Sequence, residues 1–136
     1  MKHTCDAGNS SPPLRWEKVP TTAKSVALIC EDPDAQPVAW VHWVLYNLPP
    51  SVSSLAESVP RADGAKEGAL QGKNDFGQTG YSGPCPPSGP RHRYYFRLYA
   101  LDVELSLKPG ATRNQLLDAM RDHVVAEGSL MGVYNR

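Results

Sequence analysis

Proline places the tightest limit on what this chain can become. Thirteen of the 136 residues are proline, about twice the ~5% of ordinary proteins. Each one locks φ and removes a backbone N–H, so a bundle of helices cannot absorb the density. The expectation is a mainly β fold with rigid loops. A chain of this length buries roughly 65–70% of its unfolded surface, enough for one core, and residues 1–136 are read as a single domain.

Three segments carry the strand signature. Residues 24–30 are apolar enough for burial on both faces and run into Glu31-Asp32-Pro33-Asp34. Residues 38–48 are rich in β-branched and aromatic side chains and stop at Pro49-Pro50. Residues 91–101 alternate, with His92, Tyr94, Phe96, Leu98 and Ala100 on one face and Arg93, Tyr95, Arg97 and Tyr99 on the other. Between the last two lies a Gly- and Pro-rich stretch, 51–90, long enough to be functional or to hold minor strands. One helix is expected from Thr112, where Gln115 completes a capping box. Leu116, Leu117, Met120 and Val124 form its core face, and Gly128 is its stop.

Charge and cysteine usage narrow the function classes. Fourteen Lys and Arg offset fourteen Asp and Glu without a basic stripe, which argues against nucleic acid or any polyanion held by a broad positive field. No apolar run approaches the roughly 18 residues of a membrane span, so stable membrane insertion is not expected. Cys5, Cys30 and Cys85 are too few and too scattered for a zinc finger or a dense disulfide framework. Cytoplasmic residence is the expectation, with Cys30 a small buried residue.

Polar groups close the apolar rows. On the first strand Val26, Leu28 and Cys30 share a face that Asp32 continues; on the second, His42 shares a face with Trp40, Val44 and Tyr46; on the third, His92 opens its row. Prolines at 33, 37, 84, 86, 87 and 90 flank these positions. If the strand ends align, they form a small rigid pocket with a polar mouth. Three chemistries are open there. A facial metal triad would want a short-spaced ligand pair, which is absent. A Ser–His–Asp hydrolase would want a nucleophile elbow, and Gly80-Tyr81-Ser82-Gly83 does not have its spacing. Anion capture by imidazoles and loop N–H groups suits a neutral chain with one local site.

Four ordered motifs go further. Asp32-Pro33-Asp34-Ala35, Trp40-Val41-His42-Trp43, Gly80-Tyr81-Ser82-Gly83-Pro84-Cys85-Pro86-Pro87 and Gly89-Pro90-Arg91-His92-Arg93-Tyr94 resemble the signature of the phosphatidylethanolamine-binding protein (PEBP) family, which includes the Raf kinase inhibitor proteins. The segments Thr4 to Trp16 and Gly110 to Arg113 point to its bacterial and archaeal YbhB/YbcL branch. The resemblance implies a PEBP-like fold with a central antiparallel sheet, a smaller second sheet and a peripheral C-terminal helix. It also implies a pocket for phosphate or phosphorylated head groups built from Asp32, Asp34, His42, His92 and Tyr94. In it His42 and His92 donate to the anion, Asp32 orients a histidine, and Tyr94 closes a wall. Trp40 lines the mouth, while Ser82 and Gly83, ahead of Pro84, offer backbone N–H groups. Cys5 and Cys85 are expected near the rim, able to form a disulfide in an oxidising setting.

Family members usually carry an opening strand ahead of the residues matching Thr4-Cys5-Asp6, and this chain starts there. Either the start is truncated or a sheet edge is left uncovered, and an uncovered edge would favour a homodimer or pairing with another chain. The eukaryotic C-terminal extension is missing too, so kinase regulation is not carried over. The resulting reading is a non-enzymatic module for a small phosphorylated or anionic ligand, with no cofactor and no metal. Its alternatives are a protein-directed inhibitor of a serine protease or kinase pathway, and a weak hydrolase using a His/Asp pair.

Overall fold

The computed structural model describes residues 14–16, 19–32, 40–55, 59, 64, 68–81 and 92–134, with backbone alone at 92–94 and 130–134. In chain order the elements are β1 (Leu14–Arg15), β2 (Ser25–Asp32), β3 (Trp40–Leu48), β4 (Ser54–Leu55), β5 (Leu70–Gln71), β6 (His92–Leu101), α1 (Arg113–Met120) and β7 (Val124–Tyr134). They form a five-stranded antiparallel sheet in the order β5-β3-β2-β6-β7 and a two-stranded antiparallel pair, β1-β4.

The apolar run of β2 explains its place at the centre. All eight of its residues are buried, as a strand needs when neighbours pair with both edges and layers cover both faces. On one face Val26, Leu28 and Cys30 pack with Trp43, Leu45 and Leu98 and with Leu14 and Leu55 of the small sheet. On the other, Ala27 and Ile29 pack with Val41, Val44 and Tyr46 and with Leu116 and Met120 of α1. The sheet therefore lies between the β1-β4 pair and the helix.

Strand β3 breaks its alternation twice. Cys30 pairs with Trp43 but the next residue, Glu31, pairs with Val41, so His42 is the extra residue of a bulge. A second irregularity falls where Val26 pairs with Leu48 and Leu28 with Leu45, and Asn47 in that stretch has φ 58°. The bulges reset the phase of the strand. Val44 and Tyr46 thus join the helix-side core and do not share the expected row with His42.

The helix is shorter than its apolar period predicts. Its start is as expected: the Gln115 N–H donates to the Thr112 hydroxyl at 3.2 Å, and the Thr112 N–H donates to Gln115 Oε1 at 2.9 Å. Its end comes at Met120, and Asp122 at φ 67° turns the chain. Val124 is 40% exposed and begins β7, which pairs with β6 from Leu101↔Val124 to His92↔Tyr134. Gly128 therefore lies mid-strand. A long ladder along β6, entered through the β-branched pair Val124 and Val125, outweighs one more helical contact.

The segment 51–90 supplies β4, β5 and the isolated bridges Gly64↔Leu70 and Lys73↔Thr79. At Gly72 the backbone passes so close to its neighbours that a Cβ would lie 2.1 Å from the Ala111 carbonyl oxygen and 2.9 Å from Val44 Cγ1. Only glycine fits there.

Candidate functional site at the strand ends

Because β2 runs antiparallel to both neighbours, its C-terminal end lies beside the N-terminal ends of β3 and β6. Asp32, the last residue of β2, pairs with Trp40, the first of β3. Glu31 pairs with Tyr95, and His92 and Tyr94 precede Tyr95 on β6. Adjacent strands sit ~4.7–4.9 Å apart, so three strand ends span about 10 Å. That is the width of a small-molecule site.

Paired residues of an antiparallel sheet share a face, which puts Asp32 and Trp40 on the same side. The bulge re-aims His42 so that its ring lies 5.6 Å from that of Phe76, whose ring meets Trp40 edge-on at 5.5 Å. Asp32 and His42 are nearly inaccessible, at 4% and 3% exposure. In so dry a setting an imidazole N–H can donate a strong hydrogen bond to an oxyanion.

A turn from Asn74 to Gly80 locks the edge of β3 at this point. The Asp75 N–H donates to the Val41 carbonyl at 2.9 Å, and the Val41 N–H donates to Asp75 Oδ2 at 2.8 Å. Val41 is thereby held between Trp40 and His42. Asn74 builds the turn: its Oδ1 accepts from the N–H groups of Phe76 at 2.9 Å and Gln78 at 3.1 Å, and its Nδ2 donates to the Gly80 carbonyl at 2.9 Å.

Behind the site, on the helix side, Glu31 is buried and joins two arginines. Arg97 Nε lies 2.7 Å from Oε1 and Arg113 Nε 3.2 Å from Oε2. The first is an aligned hydrogen bond. The second is an ion pair without that alignment. Together they tie β6 and α1 to the residue before Asp32.

The structure thus brings the side chains of Asp32, Trp40 and His42 to one sheet end and the backbones of His92 and Tyr94 to the same end. Asp34, Ser82, Gly83, Pro84, Cys5 and Cys85 lie outside the described residues. Cys30 is buried beneath Asp32, and burial pushes its thiol well above the usual range, so it is no nucleophile. An apolar groove of about 270 Å³ lies at the other end of β2, against Trp16, Val26, Leu98 and Ala126, and its lining among the described residues includes none of the predicted site residues. The sequence reading missed Asn74, Asp75 and Phe76. Asn74 followed by Gly77 was a turn signal, and Phe76 was the one aromatic between them.

The family model described as "Phosphatidylethanolamine-binding protein" matches residues 1–135. A UPF0098 protein of Methanothermobacter thermautotrophicus is 55% identical over 135 residues, covering 99% of this chain and 89% of that one. Among solved structures, a PEBP homologue, CT736 from Chlamydia trachomatis, superposes with a TM-score of 0.90 at 47% identity, over 99% of this chain and 87% of that one. Escherichia coli YbcL, described as a member of the mammalian PEBP family, gives 0.89 at 34% identity, over 97% and 84%.

Proposed function

The chain belongs to the phosphatidylethanolamine-binding protein family, in its bacterial and archaeal branch, and on that premise we propose that it is a non-enzymatic binding protein for phosphate and small phosphorylated groups. The observation that carries the reading is the meeting of buried Asp32, buried His42 and the His92 position at one end of three adjacent strands. Two imidazoles and a carboxylate at the end of an apolar sheet can hold one oxyanion without a positive field. The neutral charge of the chain, fourteen cationic against fourteen anionic residues, is in keeping with that. Asp34, Tyr94 and the N–H groups of Ser82 and Gly83, before Pro84, complete the proposed ligand set. No helix among the described residues is long and apolar enough to cross a membrane. Cytoplasmic action and a homodimer remain parts of the proposal.

Calorimetric titration with inorganic phosphate near pH 6.5 tests it. His42→Ala and His92→Ala should each weaken binding about tenfold or more, as removal of a charge-assisted hydrogen bond of ~1.5–3 kcal/mol requires. p-Nitrophenyl phosphate should bind without release of nitrophenol. Affinity unchanged in both variants, or steady turnover, would sink the reading.

A further inference from the structure

Phe76 stands out once the site's groups are assigned. It is 43% exposed, although an apolar ring of this size gains most by burial. Flexibility does not account for its position, because the Asn74 hydrogen bonds shape the turn and the paired bonds between Asp75 and Val41 dock that turn on β3. One residue past Asp75, the ring is carried to the place where it meets Trp40 edge-on at 5.5 Å and the tilted His42 ring at 5.6 Å. An exposed aromatic thus borders the buried imidazole that would hold the anion, and Trp40, half-buried, extends the same wall.

From this arrangement we infer that Phe76 is a specificity-determining residue: with Trp40 it forms an aromatic wall that selects phosphate monoesters carrying a flat aromatic group over inorganic phosphate. The inference rests on the proposed anion site at His42, and it names the class of ligand that site takes. The phosphoryl group meets the imidazoles, and the aryl group covers the exposed side of Phe76. Aromatic rings in offset or edge-to-face contact add attraction beyond the area they bury. A bare phosphate reaches no part of this surface.

The test compares phenyl phosphate with inorganic phosphate by calorimetry on the intact chain, in wild type, Phe76→Ala and Phe76→Tyr. The wild type should prefer phenyl phosphate by about tenfold, the upper range of one aromatic contact. That preference should fall to about twofold or less in Phe76→Ala and return in Phe76→Tyr, which keeps a ring at the position. Phosphoethanolamine, with an ammonium in place of the ring, should show no comparable preference over inorganic phosphate. A preference that persists in Phe76→Ala overturns the inference, as does a wild type that binds both phosphates equally. So does a phosphoethanolamine preference as large as that for phenyl phosphate. In each of these cases phosphate itself still binds, whereas a wild type that binds no phosphate at all defeats the anion site. A thermal melt of each variant confirms that the fold is intact.

Discussion

Cys30 sits one residue from Glu31 and two from Asp32 on the central strand, and its surroundings decide what its sulfur can do. Burial is the main cause that pushes its thiol upward, and the neighbouring carboxylates Glu31 and Asp32 add to the shift. A thiolate there would be both desolvated and repelled. In a Cys5→Ser, Cys85→Ser background, Cys30 should therefore resist a disulfide reagent at pH 8 and react only as fast as the chain unfolds. Fast labelling of the native protein would contradict its burial. The same shift carries a pH dependence. Unfolded, the thiol ionises near its ordinary value of 9.0; folded, it keeps its proton. Stability from this group is full below that value. As pH rises above it, the unfolded state alone loses a proton, and stability falls by up to ~1.4 kcal/mol per pH unit. Cys30→Ala should flatten that alkaline slope in denaturant titrations at pH 8, 9 and 10.

At the scale of elements, what sequence conveys is hydrophobic period, and what it hides is pairing. The run of β2 and the aromatic stretch of β3 were legible because burial of both faces leaves an unbroken apolar signal. The capping box at Thr112 was legible because it is local. The end of α1 was not, since residues 124–134 become a strand only through their partner β6. The bulges of β3 were hidden for the same reason. Period two places Trp40 and His42 together, and that much holds, but it cannot show that the chain gains a residue at His42. Asn47 makes the second irregularity possible. It adopts φ 58°, its Nδ2 donates to the Leu105 carbonyl at 2.8 Å, and its Oδ1 accepts from the Leu105 N–H at 2.7 Å. The side chain thus does for Leu105 what a neighbouring strand would do. Asn47→Ala loses both bonds and keeps a strained backbone, at a cost of about 3 kcal/mol. Asn47→Gly loses the bonds but relieves the strain, so it should cost about 1 kcal/mol less. Urea midpoints that place the glycine variant at or below the alanine variant would show that the left-handed backbone is not what Asn47 provides.

For the molecule as a whole, the question is how a sheet with a small sheet on one side and a helix on the other keeps its strand ends in register. The tie on the helix side is Glu31, whose carboxylate is almost fully buried while the arginines it joins, Arg97 of β6 and Arg113 of α1, are each about a third exposed. Overall charge balance, visible in the composition, says nothing of this. The alternation of β6 placed Arg97 on the face away from Phe96 and Leu98, but its convergence with Arg113 on one carboxylate required the fold. The inequality of exposure makes the tie asymmetric. Removing Glu31 leaves two guanidinium groups that water can still reach, whereas removing both arginines leaves a charge in the interior without a partner. Glu31→Leu should therefore cost about 1 kcal/mol or less, and the double variant Arg97→Met, Arg113→Met about 3 kcal/mol. Because Glu31 adjoins Asp32, the double variant should also weaken phosphate binding more than Glu31→Leu does, once each is compared at a temperature where both are folded. Guanidinium midpoints showing the glutamate substitution to be the more damaging would mean that the two arginines depend on the carboxylate more than it depends on them, and that the inequality of exposure does not set the asymmetry.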